Sequence, residues 1–186
     1  MTSAATVRQD RVYLAGFMGS GKSTIGPILA NTIGYDFVDV DRIIEGAEGI
    51  TIGEMFRLRG EEFFRLREQE VIERLSRRCK LVVALGGGAL VDPVNFETIT
   101  TTGIVIYLRM PAETLLKRLQ HREDRPLLTD AKGNRLPDGE LRERVEALYR
   151  AREPLYAKAD VIVDVDERRV GVTVDRVVRS LAPLLR

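Results

Sequence analysis

The segment Gly16-Phe17-Met18-Gly19-Ser20-Gly21-Lys22-Ser23 constrains this chain more than any other. It fits G-x-x-x-x-G-K-[ST]. It follows a short apolar run at 11–16 and precedes apolar residues at helical spacing, Ile25, Ile28, Leu29 and Ile33. A strand, a glycine-rich turn and a helix in that order make a cradle for an anion. The glycines let backbone N–H groups turn inward, and the helix adds the positive end of its dipole. In such a loop Lys22 meets the β- and γ-phosphates of a nucleoside triphosphate, and the Ser23 hydroxyl ligates Mg²⁺. Gly19, Ser20, Gly21 and Thr24 complete the cradle, with Thr24 toward the α-phosphate. This loop specifies a nucleotide, not a reaction, so the rest of the chain must discriminate. No N-K-x-D base-reading sequence is present, which argues against a GTPase.

The apolar patterning predicts strands over 11–16, 36–40, 81–85, 104–108 and 161–165. Helices are predicted over 23–33, 51–75 with a break near Gly60, 92–101, 112–120, 138–159 and 170–181, and Gly34 suits a helix C-terminus. Alternating strands and helices imply a five-stranded parallel sheet covered by helices on both faces. At 186 residues, 44% hydrophobic and 31% charged, the chain suits one α/β domain over 1–186. Residues 1–10 read as a disordered leader. The polar stretch 121–137, with two prolines and a glycine, reads as a mobile lid.

Composition excludes several alternatives. With 29 Lys+Arg against 28 Asp+Glu, bulk charge does not favour nucleic-acid binding. The single cysteine, Cys79, rules out an internal disulfide framework and is expected to pack near a helix end. The single histidine, His121, rules out a multi-histidine metal site. No apolar run is long enough to span a bilayer and the N-terminus lacks an apolar signal core, so a cytoplasmic enzyme is expected.

Three further features carry chemistry. Asp39-Val40-Asp41 ends the second predicted strand, and residues two apart on a strand face the same side. One carboxylate can hold Mg²⁺ and the other can take a proton from a hydroxyl; the competing reading has Asp41 capping a helix that starts at Arg42. Gly86-Gly87-Gly88 leaves a backbone bare for a small polar ligand after an apolar strand. Arg65, Arg118, Arg125 and Arg152 offer planar forks for anions, although each alone reads as a solvated surface residue. Phe56 and Phe64 read as core before they read as ligand wall.

Taken in order, G-x-x-G-S-G-K-S-T, D-x-D, Phe64-Arg65…Glu68, G-G-G, Arg125-Pro126-Leu127-Leu128 and Arg152…Pro154-Leu155-Tyr156 resemble the shikimate kinase family from about 11 to 182. The resemblance implies a P-loop NTPase fold of the nucleoside-monophosphate-kinase type. It also implies ATP-dependent phosphorylation of the 3-hydroxyl of shikimate, on the route to chorismate and the aromatic amino acids. By matching positions, Asp41 would be the base and bind shikimate hydroxyls, with Lys22 and Arg125 also catalytic. Arg65 and Arg152 would clamp the shikimate carboxylate, Glu68 would orient Arg65, and Gly86, Gly87 and Gly88 would contact the ring. Ser23 and Asp39 would serve Mg²⁺, Arg125 on the lid would reach the phosphates, and Arg118 and Arg169 would line the adenine. A monomer is expected, with ATP and shikimate as partners and neither nucleic acid nor membrane. The stretch 129–138 is longer than the lid usual in the family. The rival readings are another small-molecule kinase, such as a gluconate or nucleotide kinase, and a non-catalytic ATP-binding module.

Overall fold

The computed structural model describes residues 10–120, 128, 136–166 and 169–185. Among them, strands β1 (Arg11–Ala15), β2 (Asp36–Asp39), β3 (Leu81–Ala84), β4 (Ile104–Arg109) and β5 (Val161–Asp164) form one sheet. Its order is β2-β3-β1-β4-β5, and every pairing is parallel. The helices are α1 (Lys22–Ile33), α2 (Val40–Glu48), α3 (Ile52–Leu75), α4 (Pro93–Thr102), α5 (Ala112–Leu119), α6 (Asp138–Tyr156) and α7 (Val170–Leu181). A 3₁₀ turn, Ala89–Val91, precedes α4.

The central strands are apolar at every position because helices cover both sheet faces. Val12, Leu14, Val82 and Ile106 pack with Ile25 and Leu29 of α1 and Val174 and Val177 of α7. The alternate residues, Tyr13, Val83, Val105 and Tyr107, pack with Ile72 of α3, Leu115 of α5 and Tyr156 of α6. Arg109 at the end of β4 is exposed; the buried polar exception among these strands is Arg11. Its guanidinium donates to the Thr102 carbonyl at the end of α4 (2.8 Å) and to the Arg78 carbonyl just beyond α3. A cation there answers carbonyls that helix ends leave without partners. Among the described residues, no helix is long and apolar enough to cross a membrane.

Most elements lie where the periodicity predicts. Gly34 closes α1 in a left-handed conformation (φ 71°) and donates to the Ala30 carbonyl. Thr51 and Glu54 form a reciprocal capping box at the start of α3, and Gly60 (φ 83°, ψ 166°) breaks that helix. Cys79 follows α3 and is exposed rather than packed. The helix α2, raised in the sequence only as the competing reading that starts at Arg42, is present from Val40 and closes on Gly49 (φ 70°). The expected leader and lid lie outside the described residues, apart from Asp10 and residues 128, 136 and 137. Of that lid stretch, Leu128 and Leu136 are buried, and the Leu136 N–H donates to the Leu128 carbonyl at 3.3 Å.

The fit of α1 on the sheet generates a stability test. A Cβ on Gly26 would lie 2.2 Å from the Phe37 ring. Helix propensity alone favours alanine there by about 1 kcal/mol, whereas overpacking costs about 1–3 kcal/mol. The clash wins, so Gly26→Ala is expected to lower the melting temperature by about 2–4 °C. Adding Phe37→Leu should recover part of the loss in the same thermal scan.

Candidate active site

The strand order brings two glycine loops together. β1 and β3 are neighbours, with Leu14 paired to Ala84, so the loops leaving their C-terminal ends are adjacent. β1 pairs with β3 on one side and β4 on the other, which makes this edge the place where the winding reverses direction. Open α/β sheets bind ligands there.

After β1, the phosphate loop turns on left-handed glycines at Gly19 (φ 82°) and Gly21 (φ 97°). It lines a cleft of about 300 Å³ with Lys22, Ser23, Thr24, Asp39, Asp41 and Arg118. The Lys22 ammonium is buried and donates to the carbonyls of Gly16 (2.7 Å) and Phe17 (3.0 Å). Arg118 donates from Nη1 to the Gly19 carbonyl at 3.0 Å, so α5 braces the loop across 99 positions of sequence. Ser23 Oγ donates to Asp39 Oδ2 at 2.7 Å. Ser20 points inward, fully buried and outside the cleft lining, while its N–H donates to the Phe17 carbonyl at 3.1 Å.

The aspartate pair reaches the cleft by a different backbone from the one predicted. β2 stops at Asp39, which caps α2 by accepting from the Arg42 N–H at 3.4 Å. Asp41 sits in the first helical turn, not on a strand. Strand alternation therefore does not place the two together, and the capping role considered for Asp41 belongs to Asp39. Both residues nevertheless line the cleft.

A second, smaller pocket adjoins the first and shares Met18, Asp41 and Gly87 with it. Its remaining wall contains Phe56, Phe64, Arg65, Glu68 and Arg152. The triple glycine is needed here for close approach rather than for an unusual turn, since none of the three has a positive φ. A Cβ on Gly86 would lie 2.5 Å from Glu68 Oε1 and 2.9 Å from Asp41 Oδ1. A Cβ on Gly88 would lie 2.7 Å from Arg65 Nη2.

The two arginines of this pocket are held differently. Arg65 Nη1 donates to the buried Glu68 carboxylate at 2.8 Å, while Nε and Nη2 donate to the half-exposed Glu61 at 3.2 and 2.8 Å. Arg152 is buried and donates from Nη1 to the Gly87 carbonyl at 3.1 Å. The Tyr156 hydroxyl donates to the same carbonyl.

Not every predicted residue converges. Arg169 stands exposed at the start of α7, with its N–H on Asp166 Oδ1 at 2.8 Å, and it lines neither pocket. Arg125 lies outside the described residues. Conversely, Met18, Phe56 and Phe64 prove to be walls of the second pocket, and Phe64 is core as well. Glu61 was missed although its spacing of four from Arg65 on one helix signals a pair.

The comparisons with known proteins agree with this geometry. A family model described as shikimate kinase matches residues 18–182. A shikimate kinase of Chlorobium chlorochromatii is 44% identical over 175 residues, covering 94% of this chain and 92% of that one. One from Chlorobium phaeovibrioides is 45% identical over 176 residues, covering 94% and 89%. Among solved structures, shikimate kinase from Acinetobacter baumannii in complex with shikimate superposes with a TM-score of 0.86 at 33% identity, covering 96% of each chain.

Glu68 is the strained group of the site. Burial pushes its carboxyl up to about 7, against the pull of Arg65 and with a further push from Asp41 and Asp92. Its Oε1 has no hydrogen-bond partner among the described residues. An acid whose folded value is raised favours the protonated native state, so stability falls as pH rises from about 4.5 to about 7 and is level above that. Glu68→Gln keeps the shape and an acceptor for Arg65 but cannot ionise. Its stability relative to the native protein should improve by about 3 kcal/mol as pH is raised through this window. Urea unfolding at both ends of the window reads the change, and a constant difference would refute the assignment.

Proposed function

This chain belongs to the shikimate kinase family, and on that premise we propose that it transfers the γ-phosphoryl group of ATP to the 3-hydroxyl of shikimate. The products are shikimate 3-phosphate and ADP, on the route to chorismate and the aromatic amino acids. The observation that carries the reading is the junction of the two pockets at Met18, Asp41 and Gly87. A phosphate cradle on one side and a pocket with two arginines on the other meet at a carboxylate. Phosphoryl transfer needs such a meeting point, because it depends on in-line positioning and charge stabilisation more than on covalent chemistry.

In this reading Gly19, Gly21, Lys22, Ser23 and Thr24 hold the phosphates. The Lys22 ammonium exchanges its two loop carbonyls for phosphate oxygens. Arg65 and Arg152 receive the acceptor carboxylate, and the incoming anion competes with Glu61 for the Arg65 fork. Asp41 accepts the proton of the attacking hydroxyl, and Arg118 lies toward the adenine side. In this reading the chain works as a monomer in the cytoplasm.

The residues present also fit Mg²⁺. Ser23 and Asp39 offer hard oxygen donors 2.7 Å apart at the mouth of the phosphate loop. No cluster of three or more His, Cys, Asp or Glu residues among the described ones forms an all-protein metal cage. That suits Mg²⁺, which takes one or two protein oxygens and completes its shell with phosphates and water. When bound, Mg²⁺ would supply neutralising charge to the phosphates.

Coupled ADP release with and without shikimate tests the assignment, and shikimate-independent release alone would reject it. Asp41→Asn should retain the native melting temperature and ATP affinity while kcat falls by about 10²-fold or more, the span of general-base help. Arg65→Lys keeps the charge but loses the planar fork. It should raise KM for shikimate by about tenfold, as expected for a lost charge-assisted bond of about 1.5 kcal/mol, with KM for ATP unchanged.

A further inference from the structure

Tyr156 is a polar group that the reaction as described does not use. It is the last residue of α6, it is 1% exposed, and its hydroxyl reaches into the loop after β3 to donate to the Gly87 carbonyl. Arg152 lies one helical turn earlier and donates to that carbonyl as well. A carbonyl oxygen has two lone pairs, so these two donors complete it. Pro154 stands between them and has no N–H with which to bond the preceding turn. The end of α6 is thus fastened to the triple-glycine loop by two side chains on one face.

We propose that the Tyr156 hydroxyl is a positioning group for the acceptor site, holding the Gly87–Gly88 peptide and, through the shared carbonyl, the Arg152 guanidinium. The proposal rests on the preceding assignment of this pocket to shikimate. A planar trans peptide directs the Gly88 N–H opposite to the Gly87 carbonyl, so anchoring one orients the other. Glycine at 87 and 88 supplies no side chain to restrain that peptide, and Gly87 lines both pockets. Anchoring by Arg152 alone would tie the peptide to the very side chain that must also meet the acceptor. The Tyr156 bond makes the loop independent of Arg152.

The ring of Tyr156 is aimed by aromatic packing. It lies 5.1 Å from the Tyr107 ring at 33°, and the Tyr107 and Tyr149 hydroxyls are 3.4 Å apart. Tyr149 in turn lies 5.9 Å from Phe17 in the phosphate loop. Burial pushes the Tyr156 phenol up to about 12, which keeps it a donor throughout the range in which the enzyme can be assayed.

A hydroxyl that merely satisfies the core predicts lost stability and no selective kinetic effect; a positioning group predicts the reverse. The test is Tyr156→Phe, which keeps the packed ring. KM for shikimate should rise by about fivefold to tenfold, the equivalent of one neutral hydrogen bond. KM for ATP should stay within about twofold and the melting temperature within a few degrees. The rise in melting temperature that saturating shikimate gives the native enzyme should shrink in the variant. Tyr107→Phe, which removes a hydroxyl of the same stack that does not touch the loop, should leave KM for shikimate unchanged. If the native enzyme shows no shikimate-dependent ADP release, the parent assignment fails. If the native enzyme does, three outcomes each overturn this proposal alone: Tyr156→Phe matching it in KM for shikimate, raising both KM values together, or failing to fold.

Discussion

The close packing of three charged side chains against the backbone of Gly86–88 is the constraint on which the acceptor side of this molecule depends. Glu68, Asp41 and Arg65 come from two helices, α2 and α3, and all approach nearer than a Cβ would allow. Any other residue at 86 or 88 would push them outward and separate the carboxylate of Asp41 from the loop that faces it. The glycines are therefore a steric requirement, and their conformation is otherwise ordinary. What they permit is direct contact between bare backbone and the titratable groups of Asp41, Arg65 and Glu68, beside the apolar walls of Met18, Phe56 and Phe64.

That arrangement works because of strand order. β3 lies beside β1, so the triple glycine necessarily emerges next to the phosphate loop. The outer strand β2 lies beyond β3 and delivers Asp39 and Asp41 to the same edge from its far side. Donor and acceptor pockets then share three residues because the topology leaves no space between the loops. The aromatic chain from Phe17 through Tyr149 and Tyr107 to Tyr156 supports both loops from beneath.

What could be read from the sequence divides along a physical line. The phosphate loop, Gly34, the Gly60 break and the apolar strands were legible because each depends on local conformation or on a short hydrophobic period. The two aspartates reach the cleft, but not by the strand alternation that the sequence suggests. A carboxylate at the end of a strand can leave the strand to cap the next helix, and Asp39 does so. The grip of Arg118 on Gly19 and of Tyr156 on Gly87 spans 99 and 69 positions, and no local pattern encodes contacts of that range. Phe64 reads as core from sequence, and it is core, but it also lines the second pocket, which no local pattern signals. The motif Arg152…Tyr156 carried its own clue in its spacing of four, since both ends must share a helix face.

On the proposed function, the charges of the second pocket would receive an anion beside a nucleotide that is itself anionic. Arg65 is balanced on two sides, by Glu68 from within and by Glu61 from without. These partners differ in how easily they are lost. Breaking a buried pair costs about 3–5 kcal/mol, because it leaves an uncompensated charge out of water. An exposed pair contributes about 0–1 kcal/mol, because water replaces the partner readily. On the proposed function, an arriving carboxylate would therefore displace Glu61 and leave Glu68 in place. The guanidinium would keep an acidic partner before and after binding, and its orientation would be held by the partner that stays. The pocket would thereby keep a cation for an anionic acceptor without leaving that cation unpaired beside Gly88.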